Sequence, residues 1–427
     1  LAGTADKPEY GRFPEGIKYY KKTDNIWKGR KMDMGRIIIF TGKGGVGKTS
    51  VAAAHARKAS LQGHKTLIVS ADMAHNLSDL FEMAIGREIT EIDDNLYGLE
   101  IDPEYEMEHN FNSLMRAVEK LLPREGGQED LDLSMLPGLE ELFSLLRIQQ
   151  LYESGEYDII IVDCAPTGET LSLLKFPELF QWYMEKLFPV GKFAMRLLHP
   201  VSQKLFKVEL PDRKAMNDIE KLYLKLVELQ ELLKNREVSS IRLVTMPEKM
   251  VVEETKRSYM YLNLYNYSVD GIFINRILPE DLDLPFFDGW IRLQASYIEE
   301  IKQVFGMIPL YRIKWYDVEI SGMKSLDRLL KDVLTEEDLF AVKTAVRNEE
   351  YEKTKTGYLL KVYLPYADKQ DILLHEAGSD IVIRIGNFKR SVPLPDVLRR
   401  YRVSEARIEE SYLNIKFALM EGGAENE

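Results

Sequence analysis

This chain of 427 residues carries a single cysteine, Cys164. No disulfide can close within it, and a lone thiol fits a reducing compartment. Thiolate sites for zinc, a metalloid or an iron–sulfur cluster need more than one sulfur, so none can be built within one chain and no zinc is expected. No apolar run is long enough to span a bilayer, and no secretory leader is expected. An excess of positive charge is also missing. With 69 acidic against 57 basic residues the formal net charge is −12. That argues against nonspecific binding to nucleic acid or to an anionic membrane. These absences leave a cytoplasmic or organellar-stroma protein, with peripheral membrane association open. The length allows two or three domains.

What the chain does have is Gly42-Lys43-Gly44-Gly45-Val46-Gly47-Lys48-Thr49. The run follows the apolar stretch Ile37–Phe40 and precedes a helix-like stretch, Ser50–Leu61. Strand, glycine-rich loop and helix in that order make a Walker A phosphate loop. The glycines let the backbone curl so that successive N–H groups face phosphate oxygens, and the helix start adds partial positive charge. Lys48 then reaches the β- and γ-phosphates of ATP or ADP, and Thr49 sets its hydroxyl on Mg²⁺. Ser50 follows at the start of the helix. The extra lysine, Lys43, makes this the deviant form of the loop. It resembles the ATPase class that holds MinD, the nitrogenase iron protein and the arsenite and tail-anchor ATPases. In that class this lysine crosses a dimer interface to the partner's nucleotide.

Apolar runs alternate with amphipathic stretches. Strands are expected at Ile37–Phe40, Thr66–Ser70, Leu96–Ile101, Asp158–Asp163, Ile241–Met246 and Gly271–Asn275. The alternation predicts an α/β fold with a mostly parallel sheet covered on both faces. Ligands of such sheets lie at the carboxyl ends of the strands, where the loop, Asp72, Asp163 and Asn275 all fall. Asp72 is placed to position an attacking water. Its competing role is a helix cap, and the spacing from the phosphate loop favours the chemical one. Asp163 ends Ile159-Ile160-Ile161-Val162 as a Walker B carboxylate holding Mg²⁺ directly or through water. Ala165–Gly168 then read either as a loop that senses the γ-phosphate, which the motif context favours, or as an ordinary strand-to-helix turn. Asn275 is either an adenine contact, with one donor and one acceptor, or a turn residue. Glu248, after Met246-Pro247, is a weaker interface or nucleotide candidate.

Residues 104–150 and 171–235 break the alternation and read as a helical subdomain. The second stretch carries Trp182, Met184, Leu187, Phe188, Phe193, Met195 and Leu198. Met and aromatic residues at this density build either a plain core or an adaptable apolar groove. The groove is favoured because Pro189, Gly191 and Pro200 break the segment into short helices, in a fold that already has its core. Residues 1–34 read as an N-terminal extension or an expression remnant, 35–335 as the nucleotide domain, and 336–356 as a polar linker with a helix in it. In 357–418 short alternating runs (Tyr358–Leu364, Asp371–Glu376, Asp380–Ile385, Lys389–Leu394, Tyr412–Phe417) are cut by turn residues, which predicts a β-sandwich. A short tail, 419–427, follows.

Together these residues resemble the arsenite-pump and tail-anchored-protein-targeting ATPase family over most of 36–335. The resemblance rests on Gly42–Thr49, on Asp72 with Ala74-His75-Asn76-Leu77-Ser78-Asp79, and on Glu100-Ile101-Asp102-Pro103. It continues through Pro137-Gly138, Asp163 with Ala165-Pro166-Thr167-Gly168, Pro247-Glu248 and Asn275. It implies a homodimeric, Mg²⁺-dependent P-loop ATPase in which Asp72 activates water, Asn275 contacts adenine and Lys43 acts in trans. Residues 357–418 resemble an α-crystallin (HSP20-like) domain, a combination found in one subgroup of the family. The chain departs from the family pattern at Met73, where Pro is usual, and at Glu169, where His is common. The resemblance implies a nucleotide-gated chaperone or targeting factor for an apolar client, with a membrane receptor as a further partner. The alternative is the ATPase subunit of an arsenite-type efflux system, and the single cysteine weighs against it. A scaffold of the MinD type needs an amphipathic membrane helix, which the short acidic C-terminus does not supply.

Overall fold

The computed structural model describes residues 35–72, 76–110, 139–164, 171, 213–282, 284–343, 348–377 and 380–419. They fall into two compact units. One takes in Tyr267–Ala345 and the described residues before Tyr259; the other takes in Tyr259–Asn266 and the described residues from Asn348 on.

The first unit is built on eight strands: β1 (Arg36–Thr41), β2 (Thr66–Ser70), β3 (Thr90–Asp93), β4 (Leu96–Glu100), β5 (Ile159–Asp163), β6 (Ser239–Thr245), β7 (Val269–Ile277) and β8 (Leu310–Lys314). Their order is β3-β4-β2-β5-β1-β6-β7-β8. Every pairing is parallel except β3 with β4. This is the doubly covered α/β sheet of a P-loop nucleotide hydrolase. Strands β1, β2, β5 and β6 are buried along their whole length, as central parallel strands are; β1, β2 and β5 have apolar centres, while β6 buries Ser239, Ser240, Arg242 and Thr245 among its apolar residues.

Two strands escaped the sequence reading, and both are at the edges. β3 is Thr-Glu-Ile-Asp, short and nowhere fully buried. β8 is Leu-Tyr-Arg-Ile-Lys, buried only at alternate positions. An edge strand can keep polar residues because one side faces water, which blurs its signal.

The longer helices of this unit are α1 (Lys48–Leu61), α2 (Asn76–Phe81), α3 (Leu139–Ser154), α4 (Arg213–Lys234), α5 (Lys249–Leu264, its residues from Tyr259 on falling in the second unit), α6 (Pro285–Phe305) and α7 (Gly322–Val333); short helical turns also span Pro103–Tyr105 and Glu106–Asn110. Five alanines of α1, Ala52, Ala53, Ala54, Ala56 and Ala59, are fully buried. With only a methyl to accommodate, that helix lies close against the sheet, in one core cluster with Leu326, Leu329 and Leu330 of α7. Burying one such leucine stabilises by about 2 kcal/mol. α3, which runs on to Ser154, α4 and the short helical turns through Asn110 are the described helical parts of the stretches read as a helical subdomain. Pro137-Gly138, Ala165–Gly168 and the groove candidates Trp182, Met184, Leu187, Phe188, Phe193, Met195 and Leu198 lie outside the described residues.

The second unit holds two antiparallel sheets. One has the order β14-β15-β10-β9 and the other β11-β12-β13. Its strands are β9 (Glu349–Lys353), β10 (Gly357–Tyr363), β11 (Ile372–Ala377), β12 (Asp380–Ile385), β13 (Phe388–Pro393), β14 (Tyr401–Glu409) and β15 (Tyr412–Leu419). Leu360 and Val362 alternate inward on β10, and Leu413, Ile415 and Phe417 on β15. This is a β-sandwich of the HSP20 type. Residues 349–353, read from sequence as linker, form β9 and pair with β10. Glu-Glu-Tyr-Glu-Lys has no apolar alternation, and only the sheet beside it makes it a strand. β14 was missed for a related reason: none of its residues is fully buried.

Candidate active site

In the first unit the strand ends converge. Asp163, the last residue of β5, lies in register with Phe40 of β1 on one side and Ser70 of β2 on the other. The chain leaving β1 becomes the phosphate loop two residues later, and the chain leaving β2 reaches Asp72. Three segments distant in sequence therefore meet at one edge of the sheet, the carboxyl edge where ligands of α/β sheets bind.

The loop's shape depends on two of its glycines. A Cβ on Gly42 would lie 2.1 Å from the Val244 carbonyl oxygen of β6. Gly47, just before α1, has φ +91°, and a Cβ there would lie 2.4 Å from the Asn275 amide nitrogen. Neither site admits a side chain. α1 then starts with no side-chain cap and no acidic residue in its first turn. Its N–H groups and the positive end of its dipole are left for an anion.

Gly44, Gly45, Gly47, Lys48, Thr49, Ser50, Asp72 and Asn275 line one cleft of about 890 Å³. Gly42, Val46, Lys43, Glu248 and Asp163 do not face it. Lys43 turns to Glu254 of α5, with Nζ 3.7 Å from Oε2. Glu248 is exposed to solvent away from the cleft. Asp163 is completely buried beneath it, and neither carboxylate oxygen meets a well-aligned donor among the described residues. Burial is the main force on its pKa, pushing it up to about 7; Thr49 and Lys48 oppose the shift and the Asp72 charge adds to it. A desolvated carboxylate beside a threonine hydroxyl is an oxygen donor set suited to Mg²⁺. Thr49 and Asp163 therefore fit that ion.

Asp72 is partly buried. Its N–H donates to the Ser70 hydroxyl at 3.3 Å, and the same hydroxyl lies 3.3 Å from its carbonyl oxygen. Asn275 has another task besides any ligand. Its amide nitrogen donates to the Val46 carbonyl oxygen at 2.8 Å, and its Oδ1 accepts from the Arg276 N–H at 2.9 Å. It ties β7 to the phosphate loop while keeping one further donor and one further acceptor.

Other residues share the cleft. Asn76 and Asp79, quoted from sequence only as part of the motif with Asp72, come from α2; Arg276 from β7 and Lys314 with Trp315–Ser321 from β8 and the loop after it were given no role from sequence. Arg276 is exposed with φ +56°, a strained conformation for a side chain of its size. The buried Gln294 of α6 secures that turn. Its amide donates to the Arg276 carbonyl at 3.3 Å, and its oxygen accepts from the Leu278 N–H at 2.9 Å. The only cue in sequence was Trp315-Tyr316 after a short apolar run, and it went unused because β8 itself was not recognised.

A triphosphate lying along α1, with a water before Asp72 and a cation over Asp163, would occupy this cleft in the manner of a phosphate-loop nucleotide hydrolase. Within that class the chain matches the family described as Anion-transporting ATPase over residues 35–335, and it belongs to that family. It hydrolyses ATP. Residues 355–417 match the HSP20-like domain found in ArsA. A Chlorobaculum tepidum protein named as an arsenical pump-driving ATPase is 35% identical over 393 residues, covering 91% of this chain and 97% of its own. An Aquifex aeolicus protein named as arsenical pump-driving ATPase 1 is 33% identical over 393 residues, covering 89% and 99%. The Paramecium tetraurelia protein named ATPase ASNA1 homolog 1 is 27% identical over 303 residues, covering 70% and 92%. Among the described residues no helix is long and apolar enough to cross a membrane.

Proposed function

We propose that this ATPase works as a homodimer, as a nucleotide-gated chaperone or targeting factor for hydrophobic clients such as membrane-protein helices. In this reading the phosphate-loop amides and Lys48 hold the β- and γ-phosphates. Asp72 orients the water that attacks the γ-phosphorus, and Asn275 spends its remaining donor and acceptor on adenine. Thr49 and Asp163 would hold Mg²⁺, which when bound offsets charge on the phosphates. Lys43 acts on the nucleotide of the partner subunit, which agrees with its turning away from its own cleft. Glu248 stands at the dimer interface. Trp182, Met184, Leu187, Phe188, Phe193, Met195 and Leu198 form the client groove. The setting is the cytoplasm or an organellar stroma, with a membrane receptor as a transient partner.

The observation that carries the client reading over the efflux reading is Cys164. It is the chain's single thiol and is 2% exposed. A metalloid trigger held by soft thiolate ligands has nothing else in this chain to bind to. The names of the Chlorobaculum and Aquifex relatives favour the second reading, the ATPase subunit of an arsenite-type efflux system. Light scattering with ADP, and with ATP on Asp72→Asn, each with a fluorescent apolar helix present, tests the first. A dimer that binds the helix only with ATP supports it; no binding in any nucleotide state overturns it. Stimulation of ATP hydrolysis by arsenite or antimonite would establish the second.

A further inference from the structure

We infer that Glu100 is a positioning residue for ATP hydrolysis, holding the start of α2 shortly after Asp72 in the chain; this rests on the reading of Asp72 as the residue that orients water.

Glu100 ends β4, which runs parallel to β2 with Glu100 in register with Ser70. Its carboxylate is buried, at 4% exposure. Oε1 accepts from the Leu77 N–H at 3.0 Å and from the Ser78 N–H at 3.1 Å, and the Ser78 hydroxyl lies 3.5 Å away. A buried carboxylate is costly to desolvate, and hydrogen bonds from backbone N–H groups offset that cost. The bonds are made at the start of α2, a helix of only 6 residues that cannot hold itself together by its own turns. Leu77 is fully buried, and the Ser78 hydroxyl donates to the Ile85 carbonyl at 2.8 Å.

Asp72 and the start of α2 are thus each fastened by one of two adjacent strands at one register. Ser70 of β2 takes the Asp72 end. Glu100 of β4 takes the α2 end. Glu100 is itself fixed, since its N–H donates to the Gly86 carbonyl at 2.9 Å and the next residue's N–H donates to the Ser70 carbonyl at 3.0 Å. Asp72, Asn76 and Asp79 all line the cleft. Glu100 does not touch that space. It acts on the cleft by holding the start of α2, which presents Asn76 and Asp79 and follows Asp72 in the chain.

The test measures kcat for ATP and binding of a fluorescent ADP analogue for Glu100→Ala and Glu100→Gln. Both changes are made in the native chain and in Asp72→Asn. A misplacement of about 1 Å costs up to about a hundredfold in rate, so Glu100→Ala is expected to lower kcat by roughly ten- to a hundredfold. ADP binding should stay as it was. Glu100→Gln, which keeps an acceptor oxygen, should recover most of the rate. In the Asp72→Asn background Glu100→Ala should take away nothing more. The inference is overturned by an unchanged kcat, by an equal loss in both backgrounds, or by a parallel loss of ADP binding. Should the alanine variant not fold, Glu100→Gln carries the same comparison between backgrounds. If Asp72→Asn itself leaves kcat intact, it is the reading of Asp72 that fails, and the inference with it.

Discussion

Asp163 and Asp72 leave neighbouring strands at the same edge of the sheet, yet the fold treats them in opposite ways. Asp163 is the last residue of a fully buried strand, with no exposure and a pKa pushed up to about 7. Asp72 lies two residues beyond its strand, half in solvent, held by the hydroxyl of Ser70 and followed in the chain by a helix start held by the carboxylate of Glu100. Under the proposed roles, a group that holds a cation is best kept immobile where only a cation satisfies it, and a group that meets a water has to stand where water comes. Rigidity and access would then be divided between two aspartates one strand apart.

The comparison breaks first at Asp72. Asp72→Asn is expected to lower ATP turnover by about a hundredfold or more while ADP binding persists, since acid–base and positioning groups contribute on that scale. Phosphate release and a fluorescent ADP analogue measure the two quantities. Loss of both together would mean that the residue builds the cleft rather than serving the chemistry.

Asp163 is expected to behave the other way, with its main effect on stability. Its folded pKa lies above the ordinary carboxylate value, so between about pH 4 and pH 7 the metal-free folded state binds more protons than the unfolded chain. Metal-free stability therefore falls as pH rises through that window, by ~4 kcal/mol at the very most. Asp163→Asn removes the buried charge and should raise the metal-free melting temperature near pH 8 while doing little near pH 5. Mg²⁺ should stabilise the native chain more strongly as pH rises toward 7, because binding requires the proton to leave, and should not stabilise Asp163→Asn. Melts in chelator and in Mg²⁺ across that range decide it. Equal Mg²⁺ stabilisation of both proteins would remove Asp163 from the metal site.

Smaller effects sharpen the contrast. Asn275→Ala leaves the Val46 carbonyl without its partner and should cost about 1 kcal/mol of stability. It should also weaken ADP binding, because the phosphate loop loses its tie to β7. Calorimetry and nucleotide titration would show the pair of losses, and intact stability with weak binding would instead favour the adenine contact alone. Smallest is Glu254→Gln. The pair with Lys43 is about one-third exposed on both sides, so stability should change by less than ~0.5 kcal/mol.

The buried centre was legible in sequence because its constraints are local. Gly42 and Gly47 occupy positions where a Cβ would strike backbone or Asn275, and Ile159–Asp163 is apolar because it has neighbours on both faces. What was hidden depends on partners far along the chain. Glu100 could be quoted as part of a motif, but its hold on Leu77 and Ser78 exists only once β4 lies beside β2. The second duty of Asn275 exists only because β7 passes under the loop. β8, β9 and β14 sit at or near sheet edges with little buried surface, so their sequences carry little apolar signal, and the Trp315–Ser321 wall went unseen with β8.

The contact between Lys43 and Glu254 gives association a rival inside the chain. If Lys43 serves a partner's nucleotide, that nucleotide must win one ammonium away from a carboxylate already 3.7 Å from it. A pair about one-third exposed on both sides is worth less than ~0.5 kcal/mol, so the contest is close enough for one phosphate group to decide. ATP brings more negative charge to it than ADP does. The same weak pair that adds almost nothing to folding would let the surface of one subunit distinguish spent from unspent nucleotide in the other.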